Sequence, residues 1–160
     1  IYTVTYIVSI VNSGTTPITG ISVTDNLGEY TFGTTTLVPL TYIDGTVKYY
    51  VNGVLQPSAV VTAGPPLVVS GITVPAGGSV TVVYEAAVNE FAPLDTTSVI
   101  NNTAIVAGTG ITPITAEEEI TVESTPVLTI TKSVSPVPVT ENGTLTYTFL
   151  IQNSGFNPPQ

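Results

Sequence analysis

The chain has 160 residues, 42% of them hydrophobic and only 8% charged. That balance excludes a disordered segment, which would be richer in charge and poorer in Val and Ile. Two Lys or Arg against 11 Asp or Glu leave a net charge of −9, which repels phosphate backbones and anionic lipid surfaces and so excludes nucleic-acid binding.

Val, Ile, Thr and Tyr dominate, and Gly and Pro interrupt at short intervals, so the pattern predicts an all-β protein. In chain order the expected strands are Tyr2–Val11, Ile21–Asp25, Thr46–Val51, Val54–Gln56, Leu67–Val69, Ser79–Val88, Val99–Ala107, Glu117–Glu123, Val127–Ser133 and Thr144–Gln152. Asn52-Gly53 between two of them predicts a type I′ hairpin, because both positions tolerate positive φ. Asn142-Gly143 and Pro75-Ala76-Gly77-Gly78 predict further turns. Gly64-Pro65-Pro66 marks a loop or a sheet edge, since consecutive prolines cannot donate to a ladder. No apolar run is long enough to span a bilayer, so no membrane insertion is expected.

The chain repeats itself. Thr5-Tyr6, Asn12-Ser13-Gly14 and Pro17 recur as Thr146-Tyr147, Asn153-Ser154-Gly155 and Pro158 at one offset of 141 residues. Residues 1–125 are therefore expected to form one β-sandwich repeat lacking its first strand, and residues 126–160 to open the next. With no Met and a start in mid-pattern at Ile1, a segment of a longer polymer is expected. The stretch Val127–Thr140 is the expected donor strand. It would complete the unpaired edge of a neighbouring sandwich, with Leu128, Ile130, Lys132 and Val134 on its apolar face. Whether that neighbour is another chain or the preceding repeat is left open by the sequence.

The segments Leu128–Pro136, Gly143–Thr148 and Asn153–Gly155 resemble the opening of the bacterial surface repeat catalogued as domain of unknown function eleven. Thr16–Asp25, Pro75–Val82 and Asn101–Ala104 resemble its later parts. The resemblance implies an immunoglobulin-like antiparallel β-sandwich, a tandem arrangement and a cell-surface, cell-wall or appendage location without catalytic activity. The first copy departs from that pattern in lacking the Lys-bearing opening strand.

Strand alternation points to one chemical constellation. Lys132 shares a face with Leu128, Ile130 and Val134. Asp25 shares one with Ile21, Val23 and Leu27, and Asn102 shares one with Ile100, Ala104 and Val106. A lysine, an acid and an asparagine on apolar faces are the components of an intramolecular or inter-subunit isopeptide bond. Burial keeps the amine neutral and the acid protonated for proton transfer to the carboxamide. Glu85 is the alternative acid. The competing reading has Lys132 snorkelling at a sheet edge while Asp25 and Asn102 satisfy turn backbones.

Other residues carry weaker signals. Glu117-Glu118-Glu119 alternate faces and read as a solvated strand end rather than a Ca²⁺ site. Asn101-Asn102-Thr103 and Asn142-Gly143-Thr144 match a glycosylation acceptor. Tyr42, Tyr49 and Tyr50 offer either a sugar-stacking platform or cross-strand pairs. With no His or Cys, the usual ligands for zinc, copper and haem and the commonest catalytic base are missing, so no metal, cofactor or enzymatic activity is expected. The functional expectation is a structural repeat of an extracellular protein, partnered by copies of itself. The alternative is an adhesin or carbohydrate-binding module.

Overall fold

The structure is a computed structural model. It describes residues 2–93, 99–121, 133–134 and 145–153, with backbone only at residue 121 and in the last two stretches. The strands are β1 (Thr3–Asn12), β2 (Ile18–Asp25), β3 (Tyr30–Phe32), β4 (Thr35–Leu37), β5 (Leu40–Tyr42), β6 (Lys48–Val51), β7 (Val54–Leu55), β8 (Val60–Thr62), β9 (Leu67–Val74), β10 (Ser79–Val88), β11 (Val99–Gly108), β12 (Ile111–Thr121), β13 (Ser133–Val134) and β14 (Leu145–Asn153).

All pairings are antiparallel. One sheet runs β13-β14-β1-β10-β6-β7 with β5 also paired to β10, the other runs β12-β11-β2-β9-β8, and β3-β4 form a separate hairpin. β1 beside β10 in one sheet and β12-β11-β2 in the other is the B–E and G–F–C arrangement of an immunoglobulin-like sandwich.

Period-two alternation builds the core. β1 buries Val4, Tyr6, Val8 and Ile10, and β10 buries Val80, Val82, Tyr84 and Ala86. Facing them are Ile21 and Val23 of β2, the buried residues of β9, Ile100, Ala104 and Val106 of β11, and Ile114, Ala116 and Ile120 of β12. The inner faces of two sheets thus meet in one hydrophobic layer.

The expected hairpin forms as predicted: Asn52 and Gly53 have φ of 48° and 80°, and Val51 pairs with Val54. β9 extends to Val74, past the expected end at Val69, because Gly71 takes positive φ where the pairing register with β2 shifts. β12 begins at Ile111, six residues before the expected strand, since Gly110 closes a tight turn from β11. Pro113 is tolerated there because, among the described residues, β12 pairs on one side only, with β11. The short strands β3, β4, β5 and β8 were not expected.

Backbone hydrogen bonds fix which way β1 faces. Asn12 N donates to Gly78 O, and Tyr2 O accepts from Val88 N, so the even-numbered residues turn toward β10. By alternation Thr3, Thr5, Ile7, Ser9 and Val11 present their N–H and C=O groups on the opposite edge. In an immunoglobulin-like sandwich that edge seats the opening strand. Here β14 lies on it, in continuous register from Val4↔Asn153 to Asn12↔Leu145. Val8 is opposite Phe149, its counterpart at the repeat offset, so the edge pairs with the next repeat's version of β1 about a local two-fold. Of the expected donor strand, only Ser133 and Val134 are described; they pair with the far side of β14. Leu128, Ile130 and Lys132 lie outside the described residues.

Candidate functional site

Between the sheets, Asp25, Asn102, Glu118, Tyr6 and Tyr84 form a polar cluster within the hydrophobic layer. Asp25 ends β2 and is fully buried, as is Asn102 in the middle of β11. Asn102 Nδ2 donates to Asp25 Oδ2 at 2.9 Å. Tyr84 of the opposite sheet donates its hydroxyl to the same oxygen. Asp25 Oδ1 accepts from Leu27 N at 2.7 Å, an Asx-type turn that ends the strand.

Tyr6 stacks on Tyr84 with ring centroids 5.5 Å apart. Its phenol stands beside the Asn102 amide and feels the charges of Asp25 and Glu118. Among the described residues, Asn102 Oδ1 accepts no hydrogen bond of good geometry. Glu118 is opposite Asn102 in the β11–β12 ladder and is 2% exposed.

Electrostatics follow from burial. Desolvation pushes the Asp25 carboxyl up to about 6, against the opposing pull of hydrogen bonds from Tyr84, Leu27 N and Asn102. Desolvation, reinforced by the Asp25 charge, raises the Tyr6 and Tyr84 phenols further above their ordinary range. The cluster is therefore an acid with a raised pKa, a carboxamide held against it and a second buried carboxyl one strand away. That arrangement is suited to receive an ammonium or to pass a proton to the carboxamide nitrogen.

Two sequence candidates, Asp25 and Asn102, meet directly. Glu85 does not join them. It is half-buried on the outer face of β10, opposite Thr5, and its backbone N–H donates to Thr46 Oγ1 at 3.0 Å. The reading of residues 117–119 as a solvated strand end holds for Glu117 and Glu119, which are exposed, but is corrected at Glu118. Ile114, Ala116, Glu118 and Ile120 share the inward face, so the alternation carries Glu118 into the core.

Tyr6, Tyr84 and Glu118 were missed as site residues. The signal was present in Val80-Val82-Tyr84-Ala86 and Val4-Tyr6-Val8. A phenol on an apolar face needs a polar partner, and the neighbouring sheet supplies it.

The tyrosine platform does not assemble. Tyr42 and Tyr49 are half-buried against the core, and the Tyr49 hydroxyl reaches Thr73 of the other sheet at 3.4 Å. Tyr50 pairs with Thr81 on the outer face. A surface cleft of about 320 Å³ lies beside Leu27, Leu40, Tyr42 and Pro65, and Asp44 is the sole carboxylate lining it.

No protein-family model matches the chain, and no curated protein does. Among solved structures, a pilus backbone from Streptococcus pneumoniae is similar at 15% identity with a TM-score of 0.45, over 85% of this chain. The chain spans 28% of that protein's length.

Proposed function

We propose that the chain is a non-catalytic structural module of an extracellular surface protein, filament or appendage, and that consecutive repeats are joined by strand complementation at the outer edge of β1. The observation that carries this reading is the register of β1 with β14. A strand belonging to the next repeat, by the 141-residue offset, lies on the edge where an opening strand belongs. An open sheet edge binds another strand through main-chain hydrogen bonds, and the pairing with alternate side chains sets its register. The pairing sets the start of one repeat against the start of the next, so repeats tied in this way along one polypeptide form a bead-string. The low charge, the repeat and the resemblance of its segments to bacterial surface repeats support the same role.

The test uses the absence of Cys from the chain. Ser9 and Thr148 are register partners, so Ser9→Cys with Thr148→Cys sets two thiols across the joint. Oxidation that produces a covalent ladder identifies complementation between molecules. Oxidation that produces closed monomers identifies it between successive repeats of one polypeptide. Thiols that stay reduced under conditions that oxidise an exposed pair overturn the proposal.

A further inference from the structure

We propose that Phe32, at the tip of the β3–β4 hairpin, inserts into the cleft beside Leu40 and Tyr42 of a second copy of this chain, so that two copies associate by exchanging rings.

The hairpin presents the ring in a fixed position. β3 and β4 form a sheet of their own, and Phe32 pairs with Thr35 across a tight loop in which Gly33 takes a φ of 64°. Phe32 is 72% exposed, the most of any large hydrophobic side chain among the described residues. Exposure alone is ordinary for a single apolar side chain, but this hairpin is also braced. At its base Leu40 N donates to Leu27 O at 3.3 Å. Tyr30, on the same face as Phe32, donates its hydroxyl to Phe91 O at 2.6 Å. Asn89 Nδ2 donates to Val38 O and to Thr41 Oγ1, each at 2.9 Å. A ring held in place before contact loses less entropy on docking.

The receiving cleft, about 320 Å³, opens at the base of the same hairpin, walled by Leu27, Val38, Leu40, Tyr42, Ala63 and Pro65. The chain leaves that wall at Leu27 and returns to it at Val38, so knob and hole are neighbours on one molecule. Two copies related by a two-fold axis can then each place Phe32 in the other's cleft, a self-complementary contact.

Charge favours this occupant. Each copy carries −9, so copies meet only where acids are sparse. Residues 30–37 contain no charged side chain, and Asp44 is the one carboxylate among the described residues that line the cleft. Two enclosed rings supply about 300–500 Å² of apolar area, below the roughly 1,200 Å² of a stable interface. A single contact is therefore weak and concentration-dependent, and it gains strength when repeats along one string meet repeats along another.

The experiment is sedimentation velocity of the full chain from micromolar concentrations to about 1 mM, with amide shifts followed on dilution. The expected result is a reversible monomer–dimer equilibrium that strengthens with added salt, which screens the acidic charge, and dilution shifts at Leu40 and Thr41. Phe32→Ser removes the knob, and Ala63→Phe fills the hole; each weakens association at least about tenfold. Both positions are exposed, so the variants keep the wild-type thermal midpoint. A wild type that stays monomeric throughout overturns the proposal. So does a dimer that neither variant weakens, and one weakened by Phe32→Ser but not by Ala63→Phe overturns the assignment to this cleft. The Ser9–Thr148 disulfide reads the strand joint at β1 and should form equally in Phe32→Ser, so failure of this contact and failure of strand complementation are separable.

Discussion

Tyr84 on one sheet donates its phenolic hydrogen to Asp25 on the other, so the hydrophobic layer is crossed by a polar tie. Both residues are fully buried, and the tie is shielded from water. Removing the hydroxyl with Tyr84→Phe leaves the aromatic packing on Tyr6 but strips one donor from Asp25 Oδ2. The cost expected is about 1–3 kcal/mol, the penalty of an under-satisfied buried acceptor. Because the Tyr84 bond holds the Asp25 pKa down, the variant also raises it. Urea unfolding at neutral pH, with an unchanged m-value, measures the first effect. An NMR titration of the Asp25 carboxyl measures the second, and an unmoved midpoint refutes the tie.

Asp25 also gives the fold a pH dependence of defined sign. Its folded carboxyl titrates at about 6, against an ordinary value of 3.8, because of burial. Between those values the folded chain holds a proton that the unfolded chain has released. Stability from this group is therefore complete below about pH 4 and is lost as pH rises through about 6. For a carboxyl raised this far, the stability lost across that window is roughly 3 kcal/mol. Denaturation midpoints of the wild type should fall from pH 4 to pH 7 more than those of Asp25→Asn, which has no proton to release. Equal slopes in the two proteins would mean that Asp25 does not titrate in this window.

Alternation made most of this legible. The inward faces of β1, β10 and β11 could be read directly, and with them the burial of Asp25 and Asn102. What alternation does not reveal is which faces meet. Asp25 and Asn102 lie 77 residues apart in sequence, and their contact depends on β2 and β11 being neighbours, a matter of topology. Glu118 was misread because a run of three acids looks solvated until β12 is extended back to Ile111. Only then does its phase with Ile114 and Ala116 become visible. β3, β4, β5 and β8 have three residues each, too few for a period to register.

The Asn-Ser-Gly motif that revealed the repeat has a structural cause at its first occurrence. Asn12 is fully buried at the end of β1. Its Nδ2 donates to Thr16 O at 2.8 Å and to Val74 O at 3.3 Å, and its Oδ1 accepts from Gly14 N at 3.0 Å. One side chain thus closes the turn after β1 and ties it to β9 of the other sheet. Asn12→Ala leaves these backbone groups without their partner, and a loss of about 2–3 kcal/mol is expected. Asn12→Asp keeps the acceptor for Gly14 but loses both donors, so it should not rescue. Thermal unfolding of the two variants checks this; stability within about 0.5 kcal/mol of wild type, the usual range for a surface change, would deny Asn12 the role.

Gly28 lies in the turn that carries the chain away from Asp25. Its φ is +76°, and a Cβ there would meet Ile100 Cγ2 at 2.6 Å and Pro39 Cγ at 3.0 Å. Asn26 holds the same turn, accepting from Gly28 N at 2.9 Å and from Thr103 N at 3.0 Å. Gly28→Ala therefore combines left-handed backbone strain with a clash against a core residue two positions from Asn102. The strain alone costs about 1–2 kcal/mol, and relief of the clash has to move either the turn or Ile100. Moving the turn draws Leu27 N away from Asp25; moving Ile100 disturbs β11 beside Asn102. Either route weakens the cluster, so the variant should lose stability and show faster amide exchange at Leu27 and Thr103 than at Val82 in the middle of β10. Uniform exchange across these three amides would show that the turn does not support the buried site.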